Sequence, residues 1–334
     1  MWSRCVSIFD GKRGRDPDLT LNPNNMMSRI SFLFSFLLVA TVCVPAASAQ
    51  DSGLSFLTLG VDAEALARGD AGVAGARGAF ASTWNPAGLA LADGNTVGVS
   101  HHVWIADIRT YAASGAFSVG TRTGVGVFVT ATGAGKLEAR DQPGEANGLF
   151  EAQFVAAGAA VGHEFGPVRA GMAVKFLSER IYTNSAGGYG FDFGLQTGLF
   201  DNTVLLGATY SNLGSMEQLN VEATELPKTA KLGAEVFPFR AVTALGGELF
   251  LSMSLLAEVS HNFVTERTQW HFGTSAEVLE TVTVRMGYLS NDYLRDFSAG
   301  VGIEISNMWF DYAVLPFEDG FGGPAHILSL RYGF

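Results

Sequence analysis

Few side chains in this chain have the types and spacing that chemistry needs. Gly133-Ala134-Gly135-Lys136 has part of a phosphate loop, in which backbone N–H groups cradle phosphate oxygens and a Lys reaches the terminal ones. Leu137 stands where Ser or Thr would hold a metal, and the upstream Gly is missing, so the segment reads as a loop tip. His101-His102 offers two imidazoles, but neighbours on a strand point to opposite faces and cannot chelate one ion. Asp192-Phe193-Gly194 matches a kinase tripeptide only by chance, inside a strand pattern. Neither a Gly-x-Ser-x-Gly elbow nor a His-Glu-x-x-His helix is present. His261 and His271 have no marked nucleophile beside them for lipid hydrolysis. The expectation is a protein that is not an enzyme and holds no metal or cofactor.

The composition says what kind of scaffold carries these residues. Hydrophobic residues make up 48% of the 334, charged residues only 16%, and there are 41 glycines. A soluble domain carries roughly 25% charge, and a helical membrane protein needs apolar runs of about 18 or more. Only Ile30 to Val44 comes near such a run, and it lies close to the amino terminus. High apolar content without long runs fits a β-barrel, where apolar residues alternate with polar ones. The net charge of -11 argues against a nucleic-acid partner, which Lys and Arg would have to neutralise.

Ser28-Arg29, the apolar stretch to Val44, then Pro45 and Ala47-Ser48-Ala49 read as the three parts of a signal peptide. Residues 1–49 form this region, with translation starting at Met26 or Met27 and cleavage after Ala49. Cys43 lacks the small preceding residue that lipidation needs, and both cysteines, Cys5 and Cys43, precede the cut. The exported chain then has no thiol chemistry.

From Asn95 to the end, residues 95–334, the period is two. Tyr189, Phe191, Phe193, Leu195 and Leu199 alternate with Gly190, Asp192, Gly194, Gln196 and Gly198. Trp270 to Val278 and Phe297 to Ile305 repeat the pattern. A helix would scatter these side chains round its surface, whereas a strand collects them on one face. Counting such runs predicts about fourteen strands of a length that spans a bilayer. Their links alternate. Thr121, Phe165-Gly166, Asp201-Asn202, Leu279-Glu280 and Ser306-Asn307 are tight, while Gly133 to Gly148, Glu179 to Gly188, Gly214 to Glu225, His261 to Glu266 and Glu318 to Gly323 are longer. Short periplasmic turns and longer outer loops are the habit of outer-membrane barrels, and only Pro238 to Gly246 breaks it.

Leu328, Leu330, Tyr332 and Phe334 alternate along the last strand, and the chain stops on the aromatic ring. This resembles the signal read by the outer-membrane assembly machinery, which is therefore an expected partner, together with outer-membrane lipid. Closing the barrel with this strand leaves no free edge.

Residues 50–94 do not follow the strand pattern. They carry Phe56-Leu57, Gly60, the Gly-rich Arg68 to Ala74 block, and Trp84-Asn85-Pro86-Ala87-Gly88-Leu89. On these residues the chain resembles the PorV/PorQ family, a branch of the FadL-like outer-membrane proteins. The resemblance implies an all-β, transmembrane antiparallel barrel in the bacterial outer membrane, with residues 50–94 folded inside as a plug. Asn85, Pro86, Ala87, Gly88 and Leu89 would form the plug motif. Bottom-up, Pro86 fixes φ, Asn85 caps a local turn and Gly88 permits a tight reversal. For function the resemblance implies a type IX secretion component that binds secreted cargo, through its carboxy-terminal domains, or secretion partners. The alternative is a FadL-like channel for hydrophobic small molecules.

Arg169, Lys175, Arg285, Arg331, Asp192, Glu258, Glu277 and Glu304 fall on the expected lumen face. Both signs are present, so the plainer reading is a network that solvates the interior and holds the plug.

Overall fold

The computed structural model describes residues 53–91, 94–139, 146–220, 222–239, 251–318 and 322–334. The signal region, with Met26, Met27 and the cut after Ala49, lies outside these residues, as does most of the Pro238 to Gly246 link.

The alternating runs become strands because each places apolar side chains toward lipid and small or polar ones inward. In chain order they are β1 (Thr96–Val103), β2 (Ile108–Val119), β3 (Thr123–Ala139), β4 (Gly148–Phe165), β5 (Val168–Ile181), β6 (Asn184–Leu199), β7 (Val204–Met216), β8 (Thr229–Phe239), β9 (Leu251–Asn262), β10 (Arg267–Val278), β11 (Val282–Leu289), β12 (Phe297–Ile305), β13 (Met308–Leu315) and β14 (Ala325–Gly333). Each pairs antiparallel with its sequence neighbours, and β1 pairs with β14 to close the barrel. Outward residues such as Val127, Phe176, Leu195, Met286 and Leu328 are exposed, forming the apolar exterior, while inward Thr130, Gln196 and Ser329 are buried. Among the described residues no helix is long and apolar enough to cross a membrane, so the crossing falls to strands.

Thr96 pairs with Gly333, which places both ends of the barrel sequence at the rim with the tight turns. That rim is periplasmic. The tight turns rest on left-handed residues, Gly120 and Gly166 at two of them and Phe200, Asp201 and Asn202 at a third. At the outer rim two expectations need correcting. Gly133 to Lys136 lies within β3 and is no loop tip, because β3 continues to Ala139 through a register shift between Ala134 and Leu137. Glu179 to Gly188 is no loop either: β5 runs to Ile181, β6 starts at Asn184, and a tight hairpin joins them. Polar and glycine residues there hid the strands, because their backbone pairing does not depend on an apolar face.

Inside the barrel residues 54–91 fold as short helical turns: 3₁₀ turns at Ser55–Thr58, Gly78–Phe80 and Pro86–Leu91, and α-helical turns α1 (Ala63–Leu66) and α2 (Ala81–Trp84). The expected plug is thus present, and it has a direction. Leu54 packs with Leu177, Ala186, Met216 and Leu226, all at the outer end of the wall. Residues 94–96 reach β1 at the periplasmic rim, where Asn95 N donates to Phe334 O at 3.3 Å. The plug therefore runs from the outer mouth down to the periplasm.

Candidate functional site: the plug and its cradle

The motif Trp84 to Leu89 owes its residue types to what each touches. Trp84 is nearly buried, and its indole lies between two glycine backbones: a Cβ built on Gly60 or on Gly72 would lie 2.7 Å from the ring. Its Nε1 donates to Asp62 Oδ2 at 2.6 Å, and Lys231 Nζ stands 5.0 Å from the ring centroid. Asn85 is fully buried, and its polar atoms are used from both sides. Its Nδ2 donates to Val73 O in the plug and to Leu195 O in the wall, each at 3.0 Å, while its Oδ1 accepts from Ala87 N at 3.1 Å. That last bond is the Asx turn expected from Asn before Pro. Pro86 meets the wall where β4, β5 and β6 carry Gly162, Gly171 and Gly194, and a Cβ at any of the three would collide with Pro86 or Asn85. Gly88 passes against the Ala76 carbonyl. Leu89 fills an apolar pocket with Ala116, Phe128, Ala160 and Ala173.

The remaining contacts are charged or involve backbone. Asp62 caps α1 by accepting from Ala65 N at 3.0 Å. Glu64 takes Arg331 Nη2 at 2.6 Å; the same nitrogen lies 2.9 Å from Asp311, which also binds Arg285 at 2.8 Å. Arg68 pairs with Glu235 at 2.9 Å and Asp70 with Arg295 at 2.6 Å. Glu258 Oε2 accepts the backbone N–H groups of Gly72 and Val73 at 3.1 and 2.9 Å. Gln196 Nε2 faces three plug carbonyls, those of Val73, Ala74 and Ala76. His271 bridges Gly69 O, at 2.8 Å, and Ser260.

These contacts set the charges of the plug. Burial and the neighbouring Glu64 push the Asp62 carboxyl up, against its bonds from Ala65 and Trp84. Burial would raise Glu64 too, but Arg331, Arg285, Arg68 and Arg77 together hold it well below its ordinary value. Burial likewise opposes ionisation of Asp70, and Arg295 with Lys231 outweighs it, so its carboxyl sits low. A carboxylate buried without such partners would be costly, and each one here has a wall cation or an N–H donor.

Of the expected lumen charges, Arg331 and Glu258 hold the plug, and Arg285 is tied to Arg331 through Asp311. Lys175 and Asp192 pair with each other at 2.8 Å, joined by Asn212, and line the wall beside it. Asn212 is turned inward by a bulge in β7 and has a left-handed φ of 65°. Arg169 is buried near Glu164, while Glu277 and Glu304 stay half-buried, away from the plug contacts described above. Glu235, Arg295 and Gln196 carry plug contacts that the sequence did not single out, and Asp311 braces Arg331, which does touch the plug. Glu235 and Asp311 sit on the inward side of alternating runs, so the period alone marked them; Arg295 lies in an outer link and had no such mark. His101 and His102 do part to opposite faces: His101 stacks on outward Tyr111, and buried His102 bonds Val61 O at 3.1 Å. Leu328, Tyr332 and Phe334 face outward and are exposed, and Leu330 is half-buried between them. Among the described residues no group of three or more His, Cys, Asp or Glu could hold a metal ion.

At the outer end, Phe56 and Leu57 join Leu54, with Phe154 of the wall and Leu219 of an outer link packed alongside. The Phe56 and Phe154 rings stack at 5.9 Å. A packed apolar cluster thus caps the plug at its outer end.

No family model matches the chain, and no curated protein does. Solved structures do. The TodX monoaromatic hydrocarbon channel, in its deltaS2 mutant, is similar with a TM-score of 0.53 at 14% identity, over 83% of this chain and 99% of that one. A FadL homologue of Pseudomonas aeruginosa gives 0.50 at 12% identity, over 86% and 100%. Neither likeness bears on the PorV/PorQ branch in particular. What they and the closed barrel show is the fold: this chain is a bacterial outer-membrane β-barrel of FadL-like architecture with its amino-terminal segment inside.

Proposed function

We propose that the protein is a gated conduit for hydrophobic small molecules. The observation that carries this reading is the apolar cluster of Leu54, Phe56, Leu57, Phe154, Leu177 and Leu226 at the outer mouth, above a lumen closed by paired charges. An apolar solute leaving water gains roughly 25 cal/mol per Å² of its surface buried against such a cluster. An ion gains nothing there and meets a filled lumen below. The fold shared with the TodX hydrocarbon channel supports the same reading.

Deleting the gene in its own host and measuring uptake of a labelled monoaromatic hydrocarbon and a long-chain fatty acid tests the proposal. Secreted proteins are counted in the same cells. Lost uptake with intact secretion supports the conduit. Lost secretion with intact uptake sinks it and restores the reading in which the barrel binds cargo carboxy-terminal domains.

A further inference from the structure

The outside of a closed barrel is normally convex, but one sector of this wall is hollow. A concavity of about 800 Å³ crosses the outer faces of β12, β13, β14, β1, β2 and β3, lined by Val99, Ala113, Ile303, Phe310 and Leu328 among others. The plug lies on the other face of the same strands. Ala63 and Ala67 of the plug pack there on Ala313 and Ala325, a Cβ on Gly300 would lie 2.6 Å from Ala67 Cβ, and Ala79 Cβ lies 3.1 Å from the Cβ position of Gly98. Small residues on both sides let wall and plug approach closely under the hollow.

A hollow in a lipid-facing surface is filled by lipid, since an empty one forfeits dispersion contacts on one side. The rim of this one selects which lipid. Arg109 and His326 both sit opposite Val103, one on each neighbouring strand, at the outer-rim end of the hollow. Strand spacing puts their Cα atoms roughly 10 Å apart. Arg109 is exposed and makes no ion pair with the described residues. Tyr312 Oη bonds His326 Nδ1 at 2.7 Å; with the phenol donating, the ring proton sits on Nε2 and is free to donate. One row lower, His101 stacks on Tyr111 at 4.6 Å. Guanidinium and imidazole donors above an apolar trough match a phosphate above acyl chains.

We propose that this sector is a binding site for a phosphate-bearing lipid of the outer leaflet. The acyl chains lie in the trough and the headgroup phosphate meets Arg109 and His326.

The test is native mass spectrometry of the full-length protein released from a neutral detergent, with diphosphoryl lipid A as probe and a diacylglycerol as the phosphate-free comparison. Folding of every variant is first checked by the mobility shift of unheated samples. Retained lipid A adducts are expected, weakened about tenfold or more in Arg109→Glu and in Ala113→Trp, which fills the trough. Met172→Trp, an outward position on β5 away from the trough, should bind as the native protein does. Arg109→Glu binding with native affinity would overturn the phosphate site. Equal binding by Ala113→Trp and Met172→Trp, or equal retention of diacylglycerol, would show non-selective boundary lipid instead and also overturn it. Arg109 is exposed and pairs with none of the described residues, so that variant is informative even if Ala113→Trp does not fold.

Discussion

Trp84 donates its indole N–H to Asp62, the residue that caps α1. One buried carboxylate thus ties the two halves of the plug, twenty-two residues apart, to each other. Asp62→Ala leaves the indole N–H without its acceptor and α1 without its cap. The two losses are expected to weaken plug docking by about 2–4 kcal/mol together. The barrel strands do not depend on either contact. Conductance in planar bilayers should rise while heat-modifiability stays native; unchanged conductance would show that these contacts do not hold the plug.

Acid should open the plug late. Glu64 and Asp70 have carboxyls held low by wall arginines, so their contribution is complete above the ordinary carboxylate value and is lost only as pH falls through their depressed values. Asp62 runs the other way: its raised carboxyl favours docking as pH falls, and that contribution fades as pH rises through the raised value. The resting, poorly conducting state should therefore survive through about pH 4, where ordinary carboxylates titrate, and give way in stronger acid. A Glu64→Gln, Asp70→Asn double variant should leak at neutral pH. Opening of the native protein at the ordinary carboxylate value would contradict the assignment.

Gly194→Leu places a side chain where Asn85 Oδ1 now lies. Overpacking of this kind costs about 1–3 kcal/mol, and here it falls on the plug seat rather than on strand pairing. Conductance is expected to move part of the way toward that of a variant lacking residues 54–90, which should be an open pore in a folded barrel. Large steady conductance from the unaltered protein would mean that the segment does not seal the lumen.

Phe334→Ala tests the terminal strand. Phe334 exchanges backbone bonds with Asn95, N to O at 2.9 Å and O from N at 3.3 Å, and its ring lies 5.9 Å from that of Tyr332 on the lipid face. The backbone bonds survive the substitution, so a folded barrel should be as heat-modifiable as before. The amount reaching the outer membrane should fall, as it should when Tyr332 to Phe334 is removed. Native levels in the membrane would remove the assembly-signal reading.

The barrel was legible because an alternating strand advertises both of its faces at once. Phe193 and Leu195 outward with Asp192, Gly194 and Gln196 inward needed no tertiary information. The outer hairpin at 182–183 was not legible, since Ser185, Gly187 and Gly188 carry no apolar signal to mark a strand. The plug was visible as a break in period, and Asn85-Pro86 as a turn. Its binding partners were hidden because Glu235 and Arg295 meet Arg68 and Asp70 across separations of 167 and 225 residues. Local spacing carries no trace of such pairs. The glycines of β4, β5 and β6 looked like fillers of a strand pattern, although their missing Cβ atoms make the seat for Pro86.

From Leu54 at the outer mouth the plug descends past the wall, and Asn95 at the periplasmic rim leads into β1, whose free side is taken by β14. Threading this segment into a finished ring would carry Glu64, Arg68 and Asp70 through the lumen before they meet their partners. The nascent sheet must curl round its own beginning, as a hand closes on a rope already in the palm. Making the β1–β14 seam and trapping the plug are then a single event, and a chain whose plug is misplaced at that moment has no later chance to correct it short of reopening the seam.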